Sequence, residues 1–173
     1  MIRTTSEEKP WGQIIMKVVQ IVTLFLAIVL AGAWSSKGVK FTDLNTDGLN
    51  QLTAFEFLIV IGVFGIIWAI VSLVVFCFKQ DLPAIVVLII TIIMAFFVII
   101  SAAVFAASIR DLAVSKENRF LDLNLSALEA ACFFAVLGAV AYTGDVILEI
   151  IALVFAIMKV GVQKLYLGSC CLN

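Results

Sequence analysis

The stretch from Ala84 to Ile109, AIVVLIITIIMAFFVIISAAVFAASI, runs for 26 residues without a single charge. At 1.5 Å per residue a helix of that length reaches about 39 Å, more than the roughly 30 Å of a bilayer's hydrocarbon core. A strand this long with no turn signal has no place in a soluble core. Backbone that crosses lipid must also satisfy its own amides, so the segment is read as a transmembrane helix. Working outward, three more apolar segments appear: about Gly12 to Trp34, Ala54 to Phe78, and Ala127 to Met158. The whole chain has 173 residues, of which 64% are hydrophobic and 13% charged. A soluble domain is about half apolar and about a quarter charged, so lipid is the solvent for most of this chain and a water-soluble enzyme is excluded.

The fold class is therefore an all-α membrane protein, a four-transmembrane antiparallel helix bundle. The spans are about 12–34, 54–78, 84–109 and 127–149, in one domain covering residues 1–173. The fourth apolar run is too long for one crossing and is interrupted by Asp145 and Glu149. It reads as a span ending near Glu149 with a helical extension to about Met158; a bend near Thr143–Gly144 is the alternative. The first span exceeds the h-region of a signal peptide, although Ala31–Gly32–Ala33 imitates a cleavage site. Thr53–Ala54–Phe55–Glu56 and Ser126–Ala127–Leu128–Glu129 read as capping boxes for the second and fourth helices. Pro83, beside Asp81, suits the first turn of the third, and Trp11 and Trp34 suit aromatic belts at the ends of the first.

Four spans put both termini on one side. Basic residues are nearly balanced between the two sides and do not set the orientation. Cys77, Cys170 and Cys171 all fall on the terminal side, while the opposite loops hold no cysteine, a pattern that fits cytosolic termini. These three cysteines, next to membrane boundaries, are candidate lipidation sites. The formal net charge is −1 and there is no histidine. Nucleic acid is not a partner this composition would hold, and histidine-based catalysis and metal ligation are excluded.

Two polar constellations bear on function. Asp43, Asn45 and Asp47, followed by Gly48, reproduce half of a calcium loop, but position twelve is Ala54 where a bidentate glutamate is required. A polar Asp-Gly turn explains the same residues. Within the membrane, Asp145 and Glu149 share a helical face, and Lys17 with Gln20 falls at a similar depth on the first span. They form either a polar route for ions or a pair that fixes how the first and fourth helices meet. The second reading is preferred, because no comparable polar residue continues the route outward. Small residues at helical spacing supply packing faces: Gly62, Gly65, Ala69 and Ser72 on the second span; Thr91, Ala95, Ala102 and Ala106 on the third; and Gly138 among the alanines of the fourth. Asn124–Leu125–Ser126 is a glycosylation sequon too close to the membrane for occupancy to be expected.

The run Glu129–Ala130–Ala131–Cys132–Phe133–Phe134–Ala135–Val136–Leu137–Gly138–Ala139–Val140–Ala141–Tyr142, ending at Asp145, together with four spans and compact loops, resembles the MARVEL-domain family of tetraspan proteins. The cysteine-free first outer segment argues against claudins. The resemblance implies a non-enzymatic, cofactor-free organiser of membranes, acting in apposition, vesicle trafficking or junction assembly. It would sit in plasma or vesicle membrane, with lipids, further copies or other membrane proteins as partners. The rival is a small channel or transporter subunit using Asp145 and Glu149.

Overall fold

The computed structural model describes the backbone of residues 11–36, 39–40, 51–77, 84–114 and 124–170, and the side chains of 11–35, 54–75, 77, 84–114 and 124–158. Among these, four helices carry the fold: α1 (Trp11–Gly32), α2 (Gln51–Cys77), α3 (Ala84–Val114) and α4 (Ser126–Cys170). All four are long and apolar enough to cross a membrane. A two-rung antiparallel ladder follows α1, with β1 (Ser35–Ser36) against β2 (Val39–Lys40). Asp43, Asn45 and Asp47 of the calcium-like turn, Pro83, Asp81 and Cys171 lie outside the described residues, as do the side chains of Thr53 and Cys170.

Each helix packs mainly on two neighbours, giving the cyclic order α1–α2–α3–α4, with the most extensive contact between α1 and α4. The inward faces are built from small residues. Ala27, Ala31, Gly62, Gly65, Ala69, Ala95, Ala102, Ala131, Ala135 and Gly138 are all buried. In lipid there is no hydrophobic gain from bringing helices together, so the helices associate through close van der Waals contact, which small side chains allow. Large side chains fill the interior toward the start of α2 and the end of α3, where Phe55 meets Phe105 edge to face at 4.9 Å. Away from the helix ends the outside is mainly apolar: Phe25, Phe64, Phe96, Phe133 and Phe155 are each more than half exposed, as lipid-facing residues are.

Leu24 of α1 is the wedge of the packing. Its two methyl groups face Gly65 on α2 and Gly138 on α4, and a Cβ at those glycines would approach them to 2.8 and 2.9 Å. Below this wedge the Tyr142 hydroxyl crosses the bundle and donates to the Gly65 carbonyl oxygen at 2.6 Å. A side chain at Gly65 would also come within 3.3 Å of that hydroxyl.

Three helix ends differ from the sequence expectation. Helix α2 begins at Gln51, so Thr53 lies inside its first turn rather than at the cap. At α4 the Glu129 amide bonds the Leu125 carbonyl oxygen, and the Ser126 amide donates to Asn124 Oδ1 at 3.0 Å. Asn124, two residues before Ser126, caps this helix, because its carboxamide reaches the first free amide directly. Trp34 is not a lipid-facing belt residue. It is buried, and its indole N–H donates to the Asn124 carbonyl oxygen at 2.9 Å, tying the end of α1 to the start of α4.

Helix α4 continues for 45 residues without a break at Thr143–Gly144. Its outward apolar surface includes Ile150, Val154, Phe155 and Met158, so Glu149 lies about 13 Å inside that surface rather than at its edge.

Gly138→Ala is expected to destabilise the bundle by about 1–3 kcal/mol, because Leu24 cannot back away from both neighbouring helices. Gly144→Ala should be milder, since its Cβ meets only the mobile terminal methyl of Met16. Thermal unfolding in mild detergent would rank the two. Adding Leu24→Ala to Gly138→Ala should cost less than the sum of the single changes.

Candidate functional site

The polar side chains of the membrane interior converge on one place. Lys17 is buried on α1, and its Nζ lies 2.5 Å from Asp145 Oδ2 and 3.4 Å from Glu149 Oε1 on α4. The three side chains are 7%, 0% and 11% exposed. Gln20, one turn deeper on α1, donates its amide N–H to Asp145 Oδ2 at 3.0 Å and to the Ala141 carbonyl oxygen at 3.4 Å. Spacing of four places Asp145 and Glu149 on one stripe of α4; spacing of three places Lys17 and Gln20 on the facing stripe of α1.

Two further residues complete the cluster. Thr91 of α3 has its Oγ1 3.2 Å from Glu149 Oε1 and 2.9 Å from the Val87 carbonyl oxygen. Trp68 of α2 donates its indole N–H to the same Oγ1 at 3.2 Å. All four helices therefore enter one connected network, in the order Trp68, Thr91, Glu149, Lys17, Asp145, Gln20. Thr91 had been legible only as a small residue of a packing face, and Trp68 carried no signal. Nothing in the local pattern shows that a threonine and an indole 23 residues apart will meet.

The network is rich in oxygen and short of hydrogen. Gln20 Oε1, Asp145 Oδ1 and Glu149 Oε2 are buried without a hydrogen-bond donor among the described residues. One ammonium faces two carboxyl groups. Elsewhere, hydroxyls bond within their own helix: Thr23 to Val19, Ser72 to Trp68, Ser101 to Val98, Ser108 to Val104 and Thr143 to Ala139. The packing residues Gly62, Gly65, Ala69, Ser72 and Gly138 are buried, and of them only Ser72 bonds a residue of the cluster, through the backbone carbonyl oxygen of Trp68, whereas Cys77 is a free, exposed thiol at the end of α2.

The family model described as the MARVEL membrane-associating domain matches residues 10–148. The chain belongs to the MARVEL family. The match covers most of the chain and includes Lys17, Gln20, Thr91 and Asp145; it ends one residue before Glu149. No match was found among curated proteins or among solved structures. In this MARVEL domain the ionic cluster joins the first helix to the last, which are neighbours in space although over a hundred residues apart in sequence.

Asp145→Asn should destabilise the MARVEL domain by about 3–5 kcal/mol, because it leaves the buried Lys17 ammonium with only the more distant Glu149. The double change Lys17→Met with Asp145→Leu removes both charges and should recover most of that loss. Unfolding of the purified protein in detergent, followed by circular dichroism, distinguishes the two outcomes.

Proposed function

We propose that this MARVEL-family protein organises membranes without catalysis, acting in membrane apposition, vesicle trafficking or junction assembly through lateral contact with lipids and membrane proteins. The observation that carries this reading is the direction of its side chains. The charged and amide side chains described within the membrane are turned inward and spent on helix–helix bonds, the remaining hydroxyls bond mostly within their own helices, and the outward surface of the spans is mainly apolar and aromatic. Such a body offers lipids and other transmembrane helices a surface to pack on. Family membership supports the same reading, since the family is described by its association with membranes. A channel would use the Lys17–Asp145–Glu149 cluster as part of a hydrated path. Toward the α1 C-terminal end, the described hydroxyls bond their own helices instead of extending such a path.

Both termini are placed on the cytosolic side of a plasma or vesicle membrane in this proposal, on the strength of the cysteine distribution. Cys77, Cys170 and Cys171 are then S-acylated. Acylation would not be needed for anchoring; it would bias the protein toward particular membrane regions.

Reconstitution in liposomes tests the function. The expected result is that the protein draws vesicles or membrane patches together at increasing density and passes no ions. A flux that disappears in Asp145→Asn and Glu149→Gln would replace this reading with the channel. For the cysteines, acyl exchange on protein from cells should give mass-tag shifts that are lost stepwise as Cys77, Cys170 and Cys171 are changed to Ala.

A further inference from the structure

The hydrogen count at Thr91 points beyond a simple salt bridge. A threonine hydroxyl has one hydrogen to give and two lone pairs with which to accept. Thr91 Oγ1 receives the Trp68 indole N–H, and two oxygens lie within bonding reach of it: the Val87 carbonyl at 2.9 Å and Glu149 Oε1 at 3.2 Å. One hydroxyl hydrogen cannot fully serve both. The carbonyl has no hydrogen of its own, so the Val87 contact takes the Thr91 hydrogen. The contact with Glu149 is then complete only when Glu149 supplies the hydrogen.

The charges lead to the same place. Lys17 sits 2.5 Å from Asp145 and 3.4 Å from Glu149, and Gln20 gives Asp145 Oδ2 a second hydrogen. Glu149 Oε1 also receives the Lys17 ammonium, but only at 3.4 Å, and the shorter contact marks Asp145 as the carboxylate that balances Lys17. A second ionised carboxylate beside them would leave an uncompensated negative charge well inside the apolar surface, a state that buried groups avoid by taking up a proton.

We propose that the cluster is a proton-binding site, with the proton held on Glu149 Oε1 and donated to Thr91 Oγ1, so that Lys17 and Asp145 form a neutral pair beside a neutral glutamic acid. The groups facing Glu149 are Lys17 from α1, Thr91 with the Trp68 indole behind it from α3 and α2, and Asp145 from its own helix. The Tyr142 hydroxyl of α4 is engaged with Gly65. The other described charges of α2 and α3, Glu56, Arg110 and Asp111, stand toward the opposite ends of those helices; Glu56 is about 18 Å along α2 from Trp68, and Arg110 about 28 Å along α3 from Thr91. Loss of the proton would unmake the Glu149–Thr91 bond and place two negative groups against one ammonium, loosening α3 from α4. The proposal concerns the state of the site and holds whatever task the protein performs in its membrane.

Infrared spectroscopy of the full chain in ether-linked lipid, which lacks ester carbonyls, reads the proton directly. Wild-type protein at neutral pH should show the carbonyl stretch of a protonated carboxyl group, shifting in heavy water and lost in Glu149→Gln. A wild-type spectrum without this band, or a band that survives in Glu149→Gln, would overturn the assignment. Thr91→Val provides a second arm that decides the matter even where Glu149→Gln fails to fold. With the acceptor removed, the band should move in frequency; an unmoved band would place the proton elsewhere.

Discussion

The contact between Lys17 and Asp145 is the constraint around which the bundle is arranged. Hydrocarbon gives an ammonium and a carboxylate no water, so neither can be tolerated at this depth unless the other is beside it. That requirement fixes the rotation of α1 and α4 about their axes and their register along each other. Gln20 then fills the second hydrogen-bond position on Asp145, and Glu149 carries the polar contact onward to Thr91 and Trp68. A pair between two helices thus sets the orientation of all four.

Close packing supplies what the ion pair does not. Leu24, one turn beyond Gln20, seats between Gly65 and Gly138, and the Tyr142 hydroxyl reaches the Gly65 carbonyl because no side chain stands there. The small faces permit short helix–helix distances, and those distances bring the polar side chains within bonding reach. Electrostatics selects the register, and van der Waals contact stabilises it. At the other end of the bundle, Trp34 and Asn124 tie the same two helices together by a buried indole bond.

Much of this was legible in the chain. The four spans follow from uncharged runs such as Ala84–Ile109, since a hydrocarbon layer admits long apolar helices and little else. Lys17, Gln20, Asp145 and Glu149 stood out because charged and amide side chains are rare in such runs, and spacing of three or four puts each pair on one face. Their helix ends were less readable. Thr53 and Ser126 have the composition of caps, but α2 already starts at Gln51, and the first amide of α4 is capped by Asn124, because capping depends on which amide a side chain reaches. Trp34 fits a membrane belt by position and is drawn inside by a partner ninety residues away.

The sequence by itself determined the solvent, the number of helices and the residues that could not be left facing lipid, because each of these depends on local composition and helical period. Only the tertiary structure decided that Thr91 and Trp68 belong with the charged residues, and that the single hydroxyl hydrogen of Thr91 is contested by two oxygens. Those facts depend on distances between helices, and a hydrogen-bond partner on another helix leaves no mark in the residues next to it.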